Sequence, residues 1–408
     1  MVIGELLRKT RKALPHVPWA VHHVAHVLRN RGFAQARNYV RTLVRTAEDG
    51  AGFNWPIYRL MPANLVPYPH RIEVEVTTRC SLRCPKCEQA YWPDRRARQK
   101  DMTLKQFEYI LDQFPNLSTV SMSGIGHNFE NPEFLEMVRL ACSRKLFVQF
   151  FDTFLLLDED RAQKLVEYGV SKVNMSIDGA TEEVYRRCQA GSDFRRAVAN
   201  ARRLAEIKKQ RRSLLPEMAF SIVVTRYNIE QLPIFLDLIA DIVGESQRVT
   251  YVEFIRLLPF PENEHLMPPT SALSAAREQV LRHHASRQWP FRFRFAFNHF
   301  RDPSVKPPVS CCLEWTVPFI TVEGTVYPCC ALTEGNQRGK IEPHCMGNIF
   351  ETPFREMWRG PRYRLLREML RRNEVPPVCN MFRECNAFAT EKGVARHRVV
   401  RPGLEAQA

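Results

Sequence analysis

Six stretches of the chain are apolar, or alternate apolar with polar, over five to eight residues: 71–78, 118–123, 147–151, 172–177, 218–225 and 250–256. That pattern predicts strands. Between them, apolar residues recur at helical spacing behind recognisable start signals. Thr103 with Gln106 forms a capping box ahead of Phe107, Ile110, Leu111 and Phe114. Asn131 followed by Pro132 reads as a cap with proline at the first helical position. Asp158, Thr181 and Asn228 are further caps ahead of Leu165, Tyr185 and Leu232. Strand and helix alternate, which predicts an α/β fold with a parallel sheet and helices packed outside it. Six βα units are two short of a closed eight-stranded barrel, so an open, partial (β/α)6 TIM-like barrel is expected over 66–260. Its chemistry belongs at the C-terminal ends of the strands.

Around that barrel the pattern changes. Residues 1–65 read as a basic helical extension, and 261–310 as a proline-rich linker or crossing segment. A small Cys-rich module follows over 311–390, then a basic tail over 391–408. The chain has 408 residues, 45% of them hydrophobic and 25% charged, which excludes disordered and collagen-like classes. Its net charge of +15 sits at the two ends: ten basic against three acidic residues in 1–64, and twelve against five in 355–401. No apolar signal region opens the chain, and no apolar run approaches the ~18–20 residues that span a bilayer. A cytoplasmic location is therefore expected, where cysteines serve as ligands or catalysts more than as disulfides.

The cysteines are grouped accordingly. Cys142 and Cys188 stand alone and read as buried thiols. Directly after the first strand comes Cys80-Ser-Leu-Arg-Cys84-Pro-Lys-Cys87. Three thiolates within one loop can converge on a metal centre and leave one coordination position empty. Structural zinc requires four protein ligands, and no fourth Cys or His lies nearby in the sequence.

This triplet, placed after the first of six βα units, resembles the radical S-adenosylmethionine (radical SAM) superfamily. The resemblance implies a [4Fe-4S] cluster held through three irons by Cys80, Cys84 and Cys87, with S-adenosylmethionine on the fourth. Reductive cleavage of that cofactor to a 5′-deoxyadenosyl radical, which takes hydrogen from a substrate, is the implied activity. Gly124, Gly126 and His127 follow the second strand where the family has a Gly-Gly-Glu-Pro stretch that contacts the methionine amino group. His127 stands where the Glu is expected, and a neutral imidazole there only accepts a hydrogen bond, so a weaker contact is expected. Glu130 is an alternative carboxylate, and Asp152 closes the third strand where relatives often have Asn. Ser176 and Asp178, on one face by strand alternation, resemble the family's ribose contacts. Lys86 departs from the pattern, since an aromatic residue is usual before the last cysteine.

Downstream, Cys312, Gly324 and Cys329-Cys330, then Gly347-Asn348, Cys379 and Cys385, resemble the SPASM and twitch modules appended to such enzymes. Gly324 suits a hairpin turn between 319–322 and 325–327. One auxiliary [4Fe-4S] cluster on Cys312, Cys329, Cys379 and Cys385 is expected, with Cys311, Cys330 and Cys345 as alternates. Zinc on the same four sulfurs is the competing reading.

The resemblance implies a radical SAM oxidoreductase acting on a peptide or a small natural-product or sugar-like substrate, with a low-potential ferredoxin or flavodoxin as electron donor. The auxiliary cluster would assist oxidation or bind substrate. A lipid- or isoprenoid-modifying enzyme at the membrane surface, or a non-catalytic metal-cluster scaffold, are the alternatives. The first is motivated by a helix over 33–47 with Phe33, Ala36, Val40, Leu43 and Val44 toward one side and an Arg37, Arg41, Arg45 stripe suited to anionic lipid. His22, His23 and His26 read as surface or packing residues, and nucleic acid is not expected. Glu253 and Arg256 read as a strand-end ion pair, and no catalytic acid or base is assigned.

Overall fold

The computed structural model describes residues 17–45, 66, 68–244, 252–291, 293–295, 317–329 and 341–372. Seven parallel strands follow one another in order across a single sheet: β1 (Arg71–Val74), β2 (Thr119–Met122), β3 (Phe147–Asp152), β4 (Lys172–Ser176), β5 (Glu217–Val224), β6 (Val252–Arg256) and β7 (Phe293–Phe295). Helices α3 (Leu104–Asp112), α4 (Phe134–Ser143), α5 (Glu159–Tyr168), α6 (Glu182–Cys188), α7 (Phe194–Gln210), α8 (Leu232–Val243) and α9 (Thr270–Ala285) connect them. The architecture is a partial TIM-like barrel.

Alternation along the strands sets its two faces. Ile72, Val74, Val120, Met122, Val148, Phe150, Val173, Met175, Phe220, Ile222 and Phe254 are fully buried in one apolar core that also takes Phe107, Ile110 and Leu111 of α3. The intervening positions Glu73, Ser121, Gln149, Asn174, Ser221 and Glu253 therefore face the concave side. Parallel strands buried on both faces usually read as apolar runs, so this polar row marks a working surface.

Side-chain caps start three of the seven connecting helices. The Thr103–Gln106 capping box is formed in full. Asp158 accepts from the Arg161 amide at 2.9 Å, as expected, and Asp193 does the same for Arg196 at 3.0 Å. Asn131 works differently from a simple cap. Its Oδ1 accepts from Glu133 N at 2.9 Å while its Nδ2 donates to the carbonyls of Val76 and Met102, tying the second βα turn to the first. Thr181 heads α6 without a side-chain cap bond, and Asn228 bonds back to Thr225 N at 2.8 Å.

The proline-rich stretch is more regular than its composition predicts. It contains α9, whose first turn follows Pro269, and β7, which pairs in parallel with β6. It supplies a seventh βα unit, because paired prolines before a helix start are as compatible with a helix as with a linker.

The C-terminal module continues the same sheet. Strands β8 (Phe319–Ile320), β9 (Thr325–Tyr327) and β10 (Gly347–Asn348) give the order β10-β9-β8-β1, with β8 parallel to β1 and the rest antiparallel. Gly324 turns the hairpin at φ +87, and a Cβ there would lie 2.3 Å from the Phe350 ring. Helices α10 (Phe354–Arg359) and α11 (Pro361–Arg371) follow. Phe354 and Trp358 stack around Tyr68 and Phe114, which docks the module on the end of α3.

Helices α1 (Val17–Arg31) and α2 (Phe33–Arg45) cover the N-terminal end of the barrel, opposite the cysteine triplet. Val27, Ala36 and Tyr39 pack with Phe147 and Leu215. Arg31 donates to the carbonyls of Val166 and Glu167, Gln35 to that of Gly169 and Asn38 to that of Lys145. Of the apolar side expected on α2, Ala36 packs against the barrel. Gln35 and Asn38 go inward to satisfy backbone carbonyls, and Phe33 is left 72% exposed with Val40 also at the surface. The side chains of Arg41, Leu43, Val44 and Arg45 lie outside the described residues. His23 is buried, His22 exposed, and His26 bonds Asn30.

Candidate functional site

The loop between β1 and α3 carries Cys80, Cys84 and Cys87, none of them in a disulfide and all half-buried. It is held from every side. Arg95 donates to the carbonyls of Cys80 and Leu82, Ser81 N donates to Glu130 Oε1 at 2.6 Å, and Arg83 N to Ala190 O at 2.8 Å. Gln89 Nε2 bridges the carbonyls of Thr78 and Ile125, joining this loop to the one after β2. Burial pushes the Cys80 thiol up to about 12 and the Cys84 thiol higher still, and the neighbouring thiols push the same way.

Three mutually repelling sulfurs in a fixed loop favour a cationic centre that binds them as thiolates. Among the described residues no three His, Cys, Asp or Glu side chains close around a single ion. A structural zinc takes four protein ligands, and this loop offers three. An all-sulfur donor set from one loop fits a multi-iron cluster instead.

The loop after β2 lies against this one. The space a Cβ would take at Gly124 is filled by the Glu75 side chain at 2.5 Å, and at Gly126 by the Thr77 carbonyl oxygen at 2.1 Å. Both glycines thus permit close approach of the two loops. Glu75, fully buried, accepts from Ile125 N at 3.1 Å, and His127 N donates to Arg79 O at 2.8 Å.

His127 is 3% exposed, with Nε2 3.1 Å from Asp152 and 3.2 Å from Thr153 Oγ1, and Nδ1 3.7 Å from Glu130. Burial alone would lower its pKa, but the Asp152 and Glu130 carboxylates outweigh that and raise it to about 9. The Asp152 and Glu130 carboxylates thus favour the imidazolium over the neutral acceptor imidazole expected from the sequence, while Nδ1 itself has no hydrogen-bond partner. Glu130 is held below the ordinary carboxylate range by His127 and Ser81 against the opposing effect of burial.

At the end of β4, Ser176 is half-buried and Asp178 completely buried. Asp178 Oδ1 accepts from Val223 N at 2.7 Å, and Oδ2 takes the ammonium of Lys86. Burial would push Lys86 down, yet the Asp178 carboxylate holds it above the usual lysine value. The unexpected lysine of the triplet thus ties the loop to β4 and β5. Asn263 Nδ2 donates to the Lys86 carbonyl at 3.1 Å, and Asn228 Nδ2 to that of Asp178 at 2.9 Å. Lys86, Arg95, Gln89 and Asn263 were not singled out for these contacts by spacing, because their partners are remote in the chain.

Of the auxiliary set, Cys329 is buried just beyond β9, and the alternate Cys345 is half-buried just before β10. Met346 N donates to Val326 O at 2.8 Å, which sets the two segments side by side. Cys311, Cys312, Cys330, Cys379 and Cys385 lie outside the described residues. So does the Arg256 side chain of the expected Glu253 pair.

Comparison with known proteins agrees with this layout. Residues 74–239 match the model of the Radical SAM superfamily, and 311–386 that of SPASM, an iron-sulfur cluster-binding domain. The tungsten-containing aldehyde ferredoxin oxidoreductase cofactor-modifying protein of Pyrococcus furiosus is 24% identical over 326 residues, 75% of this chain and 85% of that one. The PqqA peptide cyclase of Ruegeria pomeroyi is 24% identical over 343 residues, 82% and 84% of the two chains. Streptococcus suis SuiB superposes with a TM-score of 0.60 at 14% identity, covering 85% of this chain and 82% of its own, which is a likeness of fold.

Proposed function

Starting from a chain that carries a radical SAM domain followed by a SPASM iron–sulfur domain, we propose that it is an oxidoreductase that modifies a peptide by hydrogen abstraction. The observation that carries this reading is the pinned loop of three cysteines at the C-terminal end of β1. A [4Fe-4S] cluster and S-adenosylmethionine, once bound, supply one-electron cleavage of the sulfonium and hence removal of hydrogen from unactivated carbon.

The chain's own residues bind and orient. Cys80, Cys84 and Cys87 would hold the cluster, and Arg95 and Gln89 fix the loop that presents them. Glu130, bonded to Ser81 inside the triplet, is the carboxylate for the methionine ammonium, a role that His127 as imidazolium does not fill. His127 orients Glu130 and Asp152 instead. The Ser176 hydroxyl serves the ribose, because both Asp178 oxygens are already engaged. Cys329, with Cys312, Cys379 and Cys385, would hold an auxiliary cluster, which would supply an electron acceptor or a substrate ligand. A peptide substrate is favoured by the relatives, which include PqqA peptide cyclases and SuiB, solved with its precursor peptide SuiA. A ferredoxin or flavodoxin in the cytoplasm would supply the priming electron.

A second reading, an enzyme docked on anionic membrane, is favoured by one observation. Val21, Leu28, Phe33 and Val40 are exposed on α1 and α2 beside exposed Arg29 and Arg37. No helix among the described residues is long and apolar enough to cross a membrane. Flotation with phosphatidylserine vesicles tests this, and protein left at the bottom of the gradient removes it.

The main test is anaerobic reconstitution with iron, sulfide, dithionite and S-adenosylmethionine. Release of 5′-deoxyadenosine is expected, with Glu130→Gln weakening S-adenosylmethionine binding more than His127→Gln. No release from iron-loaded protein would leave the non-catalytic scaffold.

A further inference from the structure

Between its two basic ends the chain is near neutral, yet the loop that carries the triplet is not: 79–101 holds seven basic residues against three acidic ones. Part of that charge is used within the fold. Lys86 lies on Asp178, Arg95 on the carbonyls of Cys80 and Leu82, Arg79 on Asp101 and Lys100 on Glu323. Arg83, Arg96 and Arg98 are exposed and have no carboxylate partner among the described residues. Because Arg95 reaches the backbone of 80–82, the exposed arginines on either side of it stand on the outer side of the triplet itself.

The basic rim continues onto the neighbouring turn. Arg83 N donates to Ala190 O at 2.8 Å, which joins the segment between α6 and α7 to the triplet loop. Arg187 and Arg196 flank that segment, exposed and again without a carboxylate partner, whereas Arg186 and Arg195 share Glu182. Asp193 is engaged as the α7 cap, so Asp94 and Glu183 are the carboxylates left to set against five arginines on these two segments. Two of the five are already propped in place. Arg98 lies over Trp92 at 5.4 Å and Arg187 over Tyr227 at 4.4 Å, which reduces the freedom lost when a partner docks. Arginine is also the cation enriched at protein interfaces, where lysine is depleted.

A cluster on the triplet takes its priming electron from outside the chain, and the nearest surface to Cys80, Cys84 and Cys87 is this rim. We propose that Arg83, Arg96, Arg98, Arg187 and Arg196 form the docking surface for an acidic electron-carrier protein of the flavodoxin type. Opposite charge steers such a carrier to the one side from which its flavin approaches the triplet. The anionic flavin hydroquinone loses one electron and becomes the neutral semiquinone, the oxidised cluster is reduced by one, and no bond or proton changes hands. The inference rests on the radical reading and deepens it by naming where the electron enters.

The test titrates oxidised flavodoxin into the full chain, anaerobically reconstituted, and follows binding by calorimetry. Arg83→Glu with Arg96→Glu should weaken binding at least about tenfold at ~0.1 M salt. Arg29→Glu with Arg37→Glu, the same charge change on α1 and α2 at the opposite end, should weaken it by less than about threefold. Wild-type binding should also fall as salt rises from ~0.1 M to ~1 M and the screening length shrinks from ~10 Å to ~3 Å. Stopped-flow reduction by flavodoxin hydroquinone should slow in the Arg83, Arg96 variant alone, while reduction by methyl viologen radical, a small cation that needs no docking surface, does not slow. Circular dichroism and iron content matching wild type certify the fold of both variants. No binding to wild type, unchanged binding in the Arg83, Arg96 variant, or an equal loss in the Arg29, Arg37 variant overturns the surface. Absence of 5′-deoxyadenosine from viologen-reduced wild type, with the binding pattern intact, would sink the radical reading and leave the docking surface standing.

Discussion

Replacing Lys86 with Met should destabilise the protein through a residue that sits inside the triplet without being a ligand. Asp178 is completely buried, and the Lys86 side chain, 17% exposed, is the cation on its Oδ2. With the lysine gone, the carboxylate keeps only the Val223 amide at 2.7 Å. Breaking a buried pair on one side costs ~3–5 kcal/mol, chiefly from the charge left behind. Removing both charges is far milder, so Lys86→Met with Asp178→Asn should recover most of that loss and come within ~1.5 kcal/mol of wild type. Urea unfolding of the two single variants and the double variant, followed by circular dichroism, gives the coupling directly. A Lys86→Met cost below ~1 kcal/mol, or a double variant no better than the single, would refute the assignment of this pair as a buried tie between the triplet loop and β4.

Three further outcomes follow from the same reasoning. Lys208 on α7 is 1% exposed, and burial lowers its pKa to about 7, so the unfolded chain binds the extra proton and wild-type stability rises with pH from about 7 toward the free lysine value. Lys208→Met should therefore raise the thermal midpoint, with a gain that shrinks by ~1.4 kcal/mol per pH unit between about pH 7 and 9, and a pH-independent gain would count against it. His127 has the opposite sign: raised to about 9 in the folded state, it contributes stability in full below its ordinary value of 6.5, and that contribution is lost as pH rises through about 9. Denaturant titrations at several pH values should show this loss, ~3 kcal/mol, in wild type and not in His127→Gln. Gly126→Ala places a methyl 2.1 Å from the Thr77 carbonyl oxygen, so it should separate the two loops and lower the iron bound on reconstitution, and full iron content in that variant would show that the loops yield easily.

Much of the barrel was legible from periodicity. The six expected strands form within a few residues of their read limits, because alternation is enforced by an apolar outer face and a polar inner one. The seventh unit was hidden by Pro268 and Pro269, which end one segment and start a helix equally well, and by a strand of only three residues, Phe293–Phe295. The triplet could be read because its chemistry lies within eight adjacent positions. Lys86 could be seen as a departure, but not its partner, since Asp178 is 92 residues away. His127 could be placed, but its charge depends on Asp152 and Glu130 closing around it in three dimensions. On α2, the apolar residues Phe33 and Val40 stay exposed although Ala36 of the same side is buried. Hydrogen bonds from Gln35 and Asn38 to barrel carbonyls decided the orientation, and helical period carries no record of those acceptors.

The most direct measurement is the iron and sulfide content of anaerobically reconstituted protein, with its absorption spectrum, in wild type and in a variant with Cys80, Cys84 and Cys87 all changed to Ala. Wild type is expected to hold about eight irons and the variant about four, which places one [4Fe-4S] cluster on the triplet and one on the C-terminal module. A variant that keeps the full wild-type iron content and spectrum would contradict a cluster at the end of β1, and with it the radical chemistry assigned to this chain.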